Sequence, residues 1–184
     1  MTLRSYAKVF LAVILCFLTS LIGCSAPRPG LPSYQPREME AALNALRSDI
    51  NARYGFRNGA PRINLGPCGR FARDFREHWN ARFRQPVTIA FLMSNTDASN
   101  CYHVLVKLPD GRFFDGGNGV TTQEFLMTLY SNMHVEEMKD FDFELLDRRS
   151  YGLGRTYPEC PNYSDEFTRQ VIESRLFELL QKAK

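Results

Sequence analysis

The sequence predicts an α+β domain in which helices flank an antiparallel sheet. Three observations carry that expectation. Residues 37–54, 68–83 and 164–182 place apolar side chains at helical spacing, residues 87–93 and 102–108 read as strands, and Leu108-Pro109-Asp110-Gly111-Arg112 is a hairpin loop leading into a third strand. Roughly 160 residues follow the N-terminal targeting segment, which is one domain's worth, and the 14 phenylalanines of the chain can fill a single core.

Residues 37–54 set Met39, Ala42, Leu43, Leu46 and Ile50 on one helical stripe that Gly55 terminates. Residues 56–65, rich in Asn, Gly and Pro, read as a loop. Gly66-Pro67 then opens a second helix at Cys68, whose stripe of Phe71, Ala72, Phe75, Trp79 and Phe83 is almost wholly aromatic and reads as core. Strands over 87–93 and 102–108 enclose a polar loop, and residues 112–115 continue the pairing beyond the hairpin. Thr121-Thr122-Gln123-Glu124 has the capping-box pattern and predicts a short helix through Tyr130 with Phe125, Leu126 and Leu129 inward. Residues 141–147 are a further candidate strand and 150–162 a loop. The terminal helix carries Phe167, Val171, Leu176 and Leu179.

The N-terminus has Arg4 and Lys8, then an apolar run over residues 9–18 and no acidic residue before Cys24, the pattern of a secretory signal. The run is shorter than the ~20 residues a membrane-spanning helix needs. Leu21-Ile22-Gly23-Cys24 resembles the bacterial lipoprotein cleavage box. That resemblance implies removal of residues 1–23, acyl lipid on Cys24, a tether over 24–36, and a folded domain over 37–184 held at the cell-envelope membrane. Losing Arg4 and Lys8 lowers the formal charge from +3 to about +1, and no basic stripe with interleaved aromatics follows, so nucleic acid is not an expected partner.

The residues that carry chemistry are Cys68, His103 and Asp115. Cys68 begins a helix, where unpaired N–H groups and the positive end of the helix dipole favour thiolate over thiol. Gly66 and Gly69 leave room beside it for a substrate carbonyl and for backbone amides that stabilise an oxyanion. A three-residue loop at 109–111 sets Leu108 opposite Arg112 and Leu105 opposite Asp115. Alternation then puts His103 and Asp115 on one face as diagonal neighbours, within imidazole-to-carboxylate reach. A two-residue loop would move Asp115 to the other face.

GPCGRFARDF followed by CYHVLVKLPDGRFFDGGNG resembles the transglutaminase-like branch of the papain-like superfamily, and Asp115-Gly-Gly-Asn-Gly119 is similar to the corresponding stretch of arylamine N-acetyltransferases. The resemblance covers residues 64–120. It implies a papain-like core, with Cys68 as nucleophile, His103 as base and Asp115 as its orienter, for acyl transfer or amide hydrolysis without a cofactor; the exported location suggests a peptide, a cell-wall stem peptide or a protein side-chain amide as substrate. Two family features are absent: no glutamine precedes Cys68, where 56–67 offers only Asn58 and Asn64, and the Arg-Gly-Gly of the acetyltransferases is missing.

Other readings of the same residues stand beside this one. Export to an oxidising compartment leaves Cys68, Cys101 and Cys160 besides Cys24, an odd number. Pairing Cys101 with Cys160 leaves Cys68 available as a nucleophile, whereas pairing Cys68 with Cys101 makes the chain a lipid-anchored, non-catalytic binding module. His78 is expected in solvent, and His134 near a helix end. No histidine pair or Cys-x-x-Cys has zinc spacing, and no phosphate-binding loop or Gly-x-Ser-x-Gly elbow occurs.

Overall fold

A computed structural model describes residues 30–97, 100–138 and 157–182. The expected signal peptide, Cys24, the first part of the tether and the candidate strand over 141–147 lie outside the described residues. Helix α1 (Pro36–Tyr54) is followed by strands β1 (Phe56–Arg57) and β2 (Ala60–Pro61), then helix α2 (Cys68–Arg82). Strands β3 (Thr88–Ser94), β4 (Cys101–Lys107), β5 (Phe113–Asp115) and β6 (Gly119–Thr121) come next, then helix α3 (Gln123–Leu129), strand β7 (Met133–Met138) and helix α4 (Asp165–Lys182). The five longer-range strands form one antiparallel sheet in the order β6-β5-β4-β3-β7. The fold is α+β. Among the described residues no helix is long and apolar enough to cross a membrane.

Period-2 alternation divides the sheet's side chains between two cores. Ile89, Phe91, Met93, Val104, Val106 and Phe114 join the stripes of α1, α2 and α4, while Ala90, Leu92, Leu105 and Phe113 pack on Leu126 of α3. The aromatic stripe of α2 is a run of touching rings: centroids are 6.1 Å apart for Phe71 and Phe75, 5.6 Å for Phe75 and Trp79, and 4.4 Å for Trp79 and Phe83. All four are buried, each contributing about 2–3 kcal/mol by leaving water, and Trp79 Nε1–H donates to Gln85 O at 2.9 Å. This packing fixes the start of α2 against the sheet.

Four expectations need correction. Residues 56–65 are not plain loop: Asn58 (φ 50°) and Gly59 (φ 81°) both take left-handed backbone, as a two-residue hairpin turn requires, and β1 pairs with β2 around them. In α3 only Leu126 is buried, while Phe125 is 49% and Leu129 54% exposed. Thr121 is still paired in β6, so Thr122 becomes the cap, accepting from Phe125 N–H at 3.2 Å, and the helix face turns by one residue. In α4 the buried stripe is Thr168, Ile172, Leu176 and Leu179, with Phe167 and Val171 at its edge. Finally, His134 is on β7 with its Nδ1 2.8 Å from Asn95 Oδ1, and His78 is half-buried, its Nδ1 3.2 Å from an Arg82 nitrogen.

Candidate active site

The hairpin between β4 and β5 has the register its loop chemistry dictates. Leu108 N–H donates to Arg112 O at 2.8 Å, Gly111 N–H closes the loop onto Leu108 O at 3.0 Å, and Val106 pairs with Phe114. In an antiparallel ladder the hydrogen-bonded pairs recur every second residue, so Val104 with Gly116 would come next. The ladder ends before that pair. Val104 N–H is thereby released, and it donates to the sulfur of Cys68 at the start of α2.

His103, one residue away, has its Nε2 3.1 Å from Asp115 Oδ2, with the two residues 5% and 2% exposed. That contact occupies Nε2, so Nδ1 is the ring nitrogen left for the hydrogen bond between His103 and Cys68. The three residues singled out in the sequence, 47 positions apart at the extremes, form one chain of contacts. Burial by itself pushes the Cys68 thiol up; the hydrogen bond and charge of His103, with the Val104 amide, outweigh it and hold the thiol below its ordinary value. Burial likewise opposes charge on His103, but Asp115 and Cys68 raise the imidazole well above 6.5. Each partner therefore favours the charged form of the other, an imidazolium beside a thiolate.

Asp115 is held as a carboxylate by five donors. Its Oδ1 accepts from Gly117 N–H at 2.8 Å, Asn118 N–H at 2.6 Å and Asn64 Nδ2 at 3.0 Å; its Oδ2 accepts from Asn118 Nδ2 at 3.0 Å and faces His103. Burial raises its pKa, and the hydrogen bond and charge of His103, with the Asn118 and Asn64 donors, bring it below the ordinary carboxylate value. The turn that supplies these donors is packed on both sides. A Cβ on Gly117 would stand 2.5 Å from Pro61 Cβ and 2.6 Å from Asn64 Nδ2, and Asn51 Nδ2 of α1 donates to Gly117 O at 2.8 Å. Only glycine fits there.

Two of these partners were within reach of sequence reasoning in different degrees. Asp followed by Gly-Gly-Asn is the signature of an aspartate bonding the amides two and three residues on. Nothing local marks Asn64 as a donor to Asp115, because 51 positions separate them. Asn58, the other candidate amide, lies at the tip of the β1–β2 hairpin, on the rim of a cleft of about 390 Å³ that His103, Asn64, Tyr102, Asn118 and Tyr130 also line.

Cys101 and Cys160, the pair expected to bridge, are not joined in this structure. Cys68, Cys101 and Cys160 are each buried and unbridged. Cys101 Sγ–H is directed at His103 O, 3.3 Å away, whereas Cys160 lies in the turn before α4 beside Tyr54 and Arg62, so the two have different neighbours. The Cys68–Cys101 bridge is absent as well. Among the described residues no three His, Cys, Asp or Glu side chains converge as a metal centre would require. No family model, curated protein or solved structure matches the chain.

Proposed function

We propose that the chain is an exported, lipid-anchored thiol enzyme of the transglutaminase-like branch of the papain-like superfamily, transferring or hydrolysing the acyl group of a peptide or protein amide. The observation that carries this reading is the unbroken buried chain from Asp115 through His103 to the sulfur at the start of α2. Both ring nitrogens of a buried histidine need partners, and here the partners are a carboxylate and a thiol, the pair that proton transfer to and from sulfur calls for.

The steps follow from the charges. Cys68 thiolate attacks the amide carbonyl carbon, a C–S bond forms, and the π pair moves to oxygen. The N–H groups at the start of α2 precede its first internal bond, Phe71 N–H to Pro67 O, so those of Cys68 and Gly69 lie ahead of the helical ladder, where they can donate to a developing oxyanion. As the C–N bond breaks, His103 imidazolium gives its proton to the leaving amine, and a thioester remains. Neutral His103 then takes a proton from water or from an acceptor amine as it attacks the thioester. The thiolate leaves, and the product is an acid or a new amide.

The reactivity of Cys68 with iodoacetamide tests the site. It should be fast at neutral pH and fall only as the pH drops through a Cys68 pKa below the ~8.5 of an ordinary thiol. Titration like a free cysteine would sink the proposal. For the anchor, mass spectrometry of the membrane fraction should find residues 1–23 absent and acyl mass on Cys24; unacylated protein cut elsewhere would reject it.

A further inference from the structure

Resting on the thiol-enzyme reading, we propose that the substrate is a peptide bearing a carboxylate near its acyl-donor amide, and that Arg47 of α1 receives that carboxylate. Two further clefts lie beside the one at His103, and Asn118 lines all three. The larger, about 600 Å³, shares Gly59, Pro61 and Asn118 with the His103 cleft and is also lined by Arg47, Ser48, Asn51 and Phe56. The other, about 400 Å³, is lined by Glu40, Arg112, Thr122 and Phe125. A peptide lying in the His103 cleft therefore has one of two neighbouring clefts beyond Asn118 to continue into.

Charge separates them. In the smaller cleft Arg112 is already neutralised, 2.6 Å from Glu40 Oε2 and 2.9 Å from Asp110 Oδ2. In the larger one Arg47 is the sole charged lining residue, and its hydrogen bond is a long 3.5 Å contact to Asn118 O. Among the described residues no carboxylate pairs with it. A half-buried guanidinium with donors to spare suits a carboxylate, which it can grip with two N–H groups at once.

The distribution of exposed apolar side chains favours a polymer over a small ligand. Of five large hydrophobics exposed among the described residues, Phe56, Tyr102 and Phe125 each line one of the three clefts, and Leu129 is next to Tyr130 of the His103 cleft. Aromatic and leucine side chains gathered around a groove are what a bound peptide's side chains would cover.

The test uses the full chain carrying Cys68→Ala, so that binding is read without turnover. Alanine- and phenylalanine-containing pentapeptide amides with one glutamate at each position in turn are titrated by NMR against the matching glutamine series. A third series has a free C-terminal carboxylate and no glutamate, which separates a side-chain carboxylate from a terminal one. At the favoured position glutamate should bind about tenfold more tightly than glutamine, the worth of a charge-assisted hydrogen bond. Arg47→Gln should remove that preference, and Arg47→Lys should keep part of it. Equal affinity for the glutamate and glutamine series, equal weakening of both by Arg47→Gln, or no measurable binding by any peptide would overturn the proposal. Iodoacetamide kinetics of the parent Cys68 report separately on the thiol-enzyme reading: an ordinary thiol with an intact Arg47 preference rejects catalysis alone, and a reactive thiol without the preference rejects the carboxylate site alone.

Discussion

Two aspartates are buried in this molecule to almost the same extent, Asp74 at 0% and Asp115 at 2% exposure, and they have opposite kinds of partner. Asp74, in α2, is hydrogen-bonded by arginines: its Oδ1 accepts from Arg73 at 2.9 and 2.7 Å, and its Oδ2 from Arg169 of α4 at 3.2 Å. Arginine stays protonated at any pH of interest, so this cluster holds α2 to α4 and has no proton to move. Asp115 faces a histidine, and its other four donors are amides that fix the carboxylate without neutralising it. Burial alone says little about role. The titration range of the partner decides whether a buried carboxylate is a fastening or part of a proton path.

Breaking the Asp115 side of the pair should give the largest effect. His103→Ala removes both the hydrogen bond and the charge that favour thiolate at Cys68, and because an ordinary thiol of pKa ~8.5 is only about 3% thiolate at pH 7, the neutral-pH alkylation rate should drop by about 30-fold or more. A cooperative thermal melt should persist, since the residues on either side keep their strand pairing. An unchanged rate would make His103 a structural residue and erase the contrast.

Breaking the other side should cost stability and spare reactivity. Asp74→Ala leaves Arg73 facing a dry site, for a loss of about 3 kcal/mol in denaturant unfolding, the low end for a broken buried pair because Arg169 is half exposed and can return to water. Per folded molecule the Cys68 alkylation rate should match the parent. A reactivity loss comparable with that of His103→Ala would show that the two clusters are one network.

A smaller change sharpens the comparison through pH. His103 has a folded pKa above its unfolded value of 6.5, so its imidazolium contributes stability that is fully present below 6.5 and is lost as pH rises through the folded pKa. Asn64→Ala removes one of Asp115's donors, costing about 1 kcal/mol, and it should leave that alkaline loss in place. Asp115→Asn removes the main support for the raised pKa, so the loss should move to lower pH. Asp74→Ala should leave its position alone, because the arginines do not titrate in this range. Chemical melts across the neutral-to-alkaline range, compared among these variants, decide the matter.

Much of the site could be read from the sequence because short-range rules fixed it. Gly66-Pro67 starts a helix at Cys68, and Pro-Asp-Gly sets a loop of three residues. The alternation of side chains then leaves His103 and Asp115 on one face, a conclusion that depends on loop length and parity alone. The aromatic stripe of α2 followed from helical period in the same way. Where a neighbouring element set the boundary, local reading went wrong by a single position: Thr121, held in β6, handed the cap of α3 to Thr122 and turned Phe125 and Leu129 outward.

What the sequence by itself determined is the four helices, the strands β3 to β5 with their hairpin register, and the three residues that meet at the candidate site. Tertiary structure alone decided the rest: the end of the ladder that frees Val104 N–H for the Cys68 sulfur, the Asn64 and Asn51 contacts that hold the Asp115 turn, the separate surroundings of Cys101 and Cys160, and the meeting of three clefts at Asn118. The physical reason is range. Backbone preference and side-chain period act over a few residues, whereas each of these features depends on how separate segments pack, and the lone pair or N–H that one segment leaves unpaired is met by whichever segment lands beside it.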